Sequence, residues 1–175
     1  MAISDSLQKG ADLVRRSGLP IDALAEKLKP RVMKLAVEKS IAFVRRTGFR
    51  ARVMERGHVV CEMPLKGNVN HIGTMYAGAL FTLAEVPGGA LYLTTFDTKR
   101  FIPIVTEMSI KYLKPAKGTV SIEINMPDER IAELEAEAAA NGKAVFELEG
   151  ELKNADGEVV AVSRAVYQLR SKRAA

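Results

Sequence analysis

Asn70-His71-Ile72-Gly73-Thr74-Met75-Tyr76-Ala77-Gly78-Ala79-Leu80-Phe81-Thr82-Leu83-Ala84-Glu85 is the stretch on which the fold turns. From Tyr76 onward it predicts a helix reaching about Thr94, and Glu85 is its only charge before the segment's end. A helix apolar on nearly every side has to be enclosed, for example by a sheet wrapped around it. Pro87 has no amide to bond back to the carbonyl of Leu83, so a kink or early break is expected there.

On both sides of this helix the period is that of strands. Phe49, Ala51 and Val53 alternate, Arg56-Gly57 turns, and Val59, Cys61 and Met63 alternate again, the pattern of a β-hairpin. Pro64 to Gly73 reads as loop. Beyond the helix, strands are predicted at about 102–114, 119–126, 143–153 and 158–169, with Lys117-Gly118 and Asp156-Gly157 as turn signals. Pro127 to Asn141 predicts a Glu-rich surface helix with Ile131, Leu134 and Ala138 in phase, closed at Gly142. One helix segregated from a long antiparallel sheet is an α+β arrangement.

Residues 1–47 read as a helical extension. Leu7, Ala11 and Val14 keep helical spacing up to Gly18, and Pro20 and Pro30 suit the first turns of two further helices. The last of these is expected to carry Met33, Ala36, Val37, Ile41 and Val44 along one face. This third of the chain is also the basic one. Residues 1–50 hold 11 Lys and Arg against 5 Asp and Glu, while the remainder is nearly neutral, which suggests an anionic partner. Residues 171–175 form a short basic tail.

Composition removes several classes of function. One cysteine, Cys61, permits no intrachain disulfide and suits a reducing compartment; with only His58 and His71 beside it, no soft-ligand metal cluster can be built. There is no Gly-x-Ser-x-Gly elbow and no phosphate-binding Gly-x-x-x-x-Gly-Lys loop, which argues against serine hydrolases and nucleotide hydrolases. No apolar run is long enough to span a membrane and no secretory signal opens the chain, so a soluble cytoplasmic protein is expected. An aromatic content of 6% without a reader motif disfavours nucleic acid as a partner.

The stretch from Asn70 to Glu85 resembles the core motif of hotdog-fold acyl-CoA thioesterases of the phenylacetyl-CoA thioesterase type. That motif runs Asn-x-x-Gly-x-x-His-Gly-Gly, then about seven residues to an acidic residue on the central helix. Tyr112-Leu113-Lys114-Pro115-Ala116-Lys117-Gly118 and Asp156-Gly157-Glu158-Val159-Val160-Ala161 are similar to that family's strand-turn segments. The likeness covers residues 48–170 and implies a hotdog fold, an antiparallel sheet around a central helix, working as a homodimer or homotetramer. Two positions depart from the motif: Tyr76 stands where the family has His, and Ala77 where it has Gly.

The resemblance implies hydrolysis of an acyl-CoA or acyl-carrier-protein thioester, with no cofactor beyond the coenzyme A portion of the substrate. Glu85 would be general base or nucleophile, and Asn70 would orient the water or the carbonyl. The amides at Tyr76, Ala77 and Gly78 would stand at a helix N-terminus, whose unpaired donors and positive dipole end suit an oxyanion; His71 is a further candidate beside them. Glu85 lies roughly 10 Å along the helix from Gly78, too far to serve its own subunit's N-terminus, and in this family the partner subunit supplies the acid. Lys111, Lys114 and Arg100 are candidates for the phosphates of coenzyme A. The Tyr76 and Ala77 departures leave an alternative, a non-catalytic acyl-thioester binding protein. A hotdog dehydratase ranks last, since its His-x-x-x-x-Pro-Gly pattern is missing.

Overall fold

The computed structural model describes residues 21–172. The helix expected through Leu7, Ala11 and Val14, its stop at Gly18, the first-turn role of Pro20 and the tail beyond Lys172 lie outside the described residues. From Met33 onward the described residues form one compact unit; of the unit before it, only the stretch from Ile21 to Val32 is described.

Among the described residues ten elements follow one another: α1 (Ile21–Ser40), α2 (Ala42–Thr47), β1 (Arg50–Glu55), β2 (His58–Met63), α3 (Ala77–Thr95), β3 (Phe101–Tyr112), β4 (Val120–Asn125), α4 (Asp128–Asn141), β5 (Lys143–Lys153) and β6 (Val159–Ser171). Every pairing is antiparallel, in one sheet of order β1-β2-β4-β5-β6-β3. All six strands contact α3, so the sheet curls around the helix in the hotdog arrangement.

The reason for that enclosure is visible along α3, where Leu80, Leu83, Val86, Ala90 and Leu91 are all buried. They meet the inward residues of the strands: Val59, Cys61 and Met63 from β2, Ile122 from β4, Phe146 and Leu152 from β5, Tyr167 and Leu169 from β6. Helix α4 lays Ile131, Leu134 and Ala138 against β5 and β6, in the phase its sequence predicts.

Four local expectations are corrected. Of the kink or early break expected at Pro87, the break does not occur: the helix continues eight residues to Thr95, and tertiary contacts around it compensate for one lost intrahelical bond. Pro30 likewise falls inside α1 and does not open a new helix. The face expected to run from Met33 to Val44 is interrupted at Ile41, whose extended backbone ends one helix and starts the next, so Val37 and Val44 are buried while Ile41 is exposed. In β1 a bulge between Ala51 and Val53 shifts the phase, so Met54 turns inward in place of Val53.

The core reaches back to Val37 and Val44, and β6 extends to Ser171. Lys117-Gly118 is a crossover, not a hairpin turn, because β3 and β4 are not neighbours. The Asp156-Gly157 turn does join paired strands, β5 and β6. There Asn154 accepts from the amides of Asp156 and Glu158 and fixes the loop.

Candidate functional site

The start of α3 is built by the loop before it. Asn70 uses most of its carboxamide on that loop: Oδ1 accepts from the amides of Ile72 and Thr74, both at 3.0 Å, and one hydrogen of Nδ2 is donated to Thr74 Oγ1 at 2.9 Å. The Tyr76 amide donates to the carbonyl of Asn68 at 2.7 Å, and the buried Asn68 side chain donates to the carbonyls of Thr47 and Pro64. Tyr76 is thus the N-cap, with no side-chain hydrogen bond of its own. Among the described residues the amides of Ala77 and Gly78 have no protein acceptor, as expected for the first turn of a helix. Two adjacent free donors at a positive dipole end can stabilise an anion.

Beside this turn lies a groove of about 400 Å³ between the 70–75 loop and the β3–β4 crossover. Asn70 and Thr74 supply its polar side, while Met75, Ala77, Leu80 and Leu113 make most of the rest apolar. Tyr112 also lines it and donates from its hydroxyl to the carbonyl of Ala77.

A second face of the same helix carries Glu85. Gly78 and Glu85 are seven residues apart, and seven residues return to within about 20° of the same direction. Together with Phe81, which is 40% exposed, they form the stripe of α3 that its own sheet leaves open. Burial pushes the Glu85 carboxyl above the usual carboxylate range, and among the described residues no donor is bonded to its oxygens. The space over Gly78 is occupied: a Cβ there would fall 2.5 Å from Cε1 of Tyr76, whose ring rests on the glycine while Tyr76 stays 60% exposed.

The candidates named from sequence fall into separate places. Asn70, Ala77 and Lys114 share the groove. Tyr76, Gly78 and Glu85 belong to the open stripe, and His71 is exposed in the loop. Lys114 is ion-paired with Glu158, whose carboxyl it holds below the usual range. Lys111 faces the other side of the sheet, against Glu149, Glu151 and Arg164. Arg100 follows the far end of α3, roughly 30 Å along the axis from Ala77, and stacks over Phe101 at 4.9 Å. The three cations therefore do not converge. Cys61 is fully buried with its thiol pushed up to about 12, which makes it packing and not a nucleophile. The sequence reading missed Tyr112 and Tyr167, both strand residues whose hydroxyls bond main-chain carbonyls of α3. An alternating pattern marks such residues only as strand.

Among the described residues no cluster of His, Cys, Asp or Glu could hold a metal ion, and no helix is long and apolar enough to cross a membrane.

Residues 30–169 match the family described as a domain of unknown function (DUF4442). A solved structure from Pseudomonas aeruginosa, of a protein of unknown function described as a probable thioesterase, is 55% identical over 81% of this chain and 95% of that one, with a TM-score of 0.80. A protein of unknown function from Chlorobaculum tepidum shares the fold at 20% identity and a TM-score of 0.71, over 81% and 94% of the two chains. A thioesterase from Haemophilus influenzae does so at 14% identity and 0.61, over 80% and 88%. No curated protein matches the chain.

Proposed function

The chain belongs to the DUF4442 family, and on that premise we propose that it hydrolyses acyl-CoA-type thioesters as a homodimer. In this reading Glu85 is general base or nucleophile, and the amides of Ala77 and Gly78 form the oxyanion hole. One observation carries it: Gly78 and the half-buried acid lie on the same uncovered stripe of α3, with the free amides of Ala77 and Gly78 at the start of that helix. An isologous contact brings the same patch of two subunits together about a two-fold axis. An axis crossing the stripe near Phe81 and Thr82, midway between Gly78 and Glu85, lays each Glu85 against the partner's first helical turn. The separation of roughly 10 Å that defeats one subunit is then what the pair requires.

Other features support assembly. Among the described residues β3 is an edge strand, paired only with β6, and it exposes Ile102, Ile104 and Val105, the kind of edge that pairs with another chain. The 55% identical relative is described as a probable thioesterase. The chemistry balances without a cofactor. Glu85 takes a proton from water, the water oxygen attacks the thioester carbonyl, and the oxyanion rests on the two amides. Collapse expels the thiol, which carries away one proton. A carboxyl raised by burial is better matched to base work near neutrality than an ordinary one. One well-placed amide is worth about 3 kcal/mol of barrier, so the helix start accounts for much of the expected rate.

The test is thiol release from a panel of acyl-CoA and acyl-carrier-protein thioesters, repeated with Glu85→Gln. Turnover that drops about a hundredfold or more supports the reading; unchanged turnover removes Glu85 from it. The Tyr76 ring lying on Gly78 favours one second reading, a non-catalytic acyl-thioester binding protein. That reading predicts thermal stabilisation by acyl-CoA with no thiol released.

A further inference from the structure

Pro87 sits two residues beyond Glu85 in the middle of α3, and its missing amide leaves the carbonyl of Leu83 without the usual donor. A helix interrupted in this way is free to bend or to let its turn slide, which would carry the Glu85 side chain with it. The chain meets this weakness from outside. Tyr167, inward-facing on β6 and only 3% exposed, donates from its hydroxyl to the main-chain carbonyl of Glu85 at 3.1 Å.

Three neighbours hold that contact in place. Gly88 gives the hydroxyl room: a Cβ there would lie 2.1 Å from Tyr167 Oη and 2.3 Å from Cζ. Phe146 stacks on the tyrosine ring, with centroids 5.5 Å apart and planes inclined by 18°. Phe146 in turn meets Phe96 at 6.3 Å, just past the end of α3. The ring is therefore fixed on one side by an aromatic column and on the other by a glycine no larger residue could replace. A phenylalanine at 167 would fill the same space, so the hydroxyl has a use beyond packing.

We propose that Tyr167 is a positioning residue for the acid: with Gly88 as its seat, it clamps the proline-weakened turn of α3 at Glu85 and holds that side chain in the open stripe. The inference rests on the thioesterase reading for its functional meaning, but the clamp itself is a property of the fold. It assigns β6, which does not reach the stripe, a part in aiming what lies there.

The experiment is Tyr167→Phe, which keeps the ring and its stacking, in the full-length protein. Two readouts are taken. Side-chain couplings of Glu85 measured by NMR report one rotamer in the wild type and rotamer averaging in the variant. Steady-state kinetics on the best acyl-CoA of the panel give a kcat about tenfold lower, KM within twofold, and a midpoint of thermal unfolding changed by only a few degrees. A single retained Glu85 rotamer overturns the clamp, as does a kcat within twofold of wild type. If the wild type cleaves no thioester at all, the hydrolase reading fails, and the rotamer measurement still decides the clamp.

Discussion

The hydroxyl of Tyr112, the last residue of β3, donates to the carbonyl of Ala77 in the first turn of α3 at 3.1 Å. This ties the free edge of the sheet to the two unpaired amides next to it. Tyr112→Phe should lower kcat about fivefold while leaving the fold intact, since one neutral hydrogen bond is worth about 1 kcal/mol net. Steady-state kinetics alongside a thermal melt check it.

Glu85 predicts opposite effects on rate and stability. As a base it must be ionised, so kcat/KM should fall with decreasing pH through a value above the ordinary carboxylate range. Because its folded pKa is raised, ionisation weighs against the folded state: the acid's relative stability is greatest below its unfolded pKa and is lost as pH rises through the folded one. Glu85→Gln should therefore melt higher than wild type at pH 7, with the difference closing near about pH 4. Melts across that range decide it.

Phe81 lies midway along the stripe, where a two-fold contact would cross. Phe81→Asp should convert dimers to monomers in light scattering, because two copies of the new charge would meet at the axis. Thiol release should fall with the dimer. A dimeric variant would dismiss this placement of the axis.

Gly57 turns the first hairpin at φ 70°, and a Cβ there would sit 2.4 Å from the carbonyl oxygen of Met126. Its own amide and carbonyl are also engaged, with Thr95 Oγ1 and the Met126 amide. Gly57→Ala should cost about 1–3 kcal/mol in urea unfolding with an unchanged slope, since strain and not surface area is altered.

Much of the fold was legible because its elements carry strong local signals. The all-round apolarity of α3 demanded enclosure, the spacing of Ile131, Leu134 and Ala138 fixed the buried face of α4, and the turn at Asp156-Gly157 announced β5 and β6. What no local pattern encodes is strand order. Nothing in residues 101–112 says that β3 pairs with β6 and not with β4, the next strand in sequence. Pro30 and Pro87 misled for a related reason: a lost hydrogen bond is a local cost, and the surroundings can offset it.

The site divides the same way. A lone acid in an apolar helix drew attention to Glu85, and its half-burial and raised carboxyl give that attention a physical basis. Asn70 illustrates the opposite case. Its Oδ1 and one of its two Nδ2 hydrogens are engaged by Ile72 and Thr74, a use that short-range loop geometry invites and that spacing does not separate from a direct part in chemistry, for which the second hydrogen is left. Tyr76 departs from the motif, but that its ring lies on Gly78 depends on a rotamer the sequence does not specify.

The pairing of β3 with β6 also sets a schedule for biosynthesis. Phe101 lies opposite Ser171, so among the described residues the outermost strand finds its one neighbour when β6 emerges from the ribosome. Contacts so distant along the chain form late. A chain made only as far as β5 therefore leaves β3 without its partner, and an unpaired strand edge is a template for joining another unfinished copy until β6 covers it.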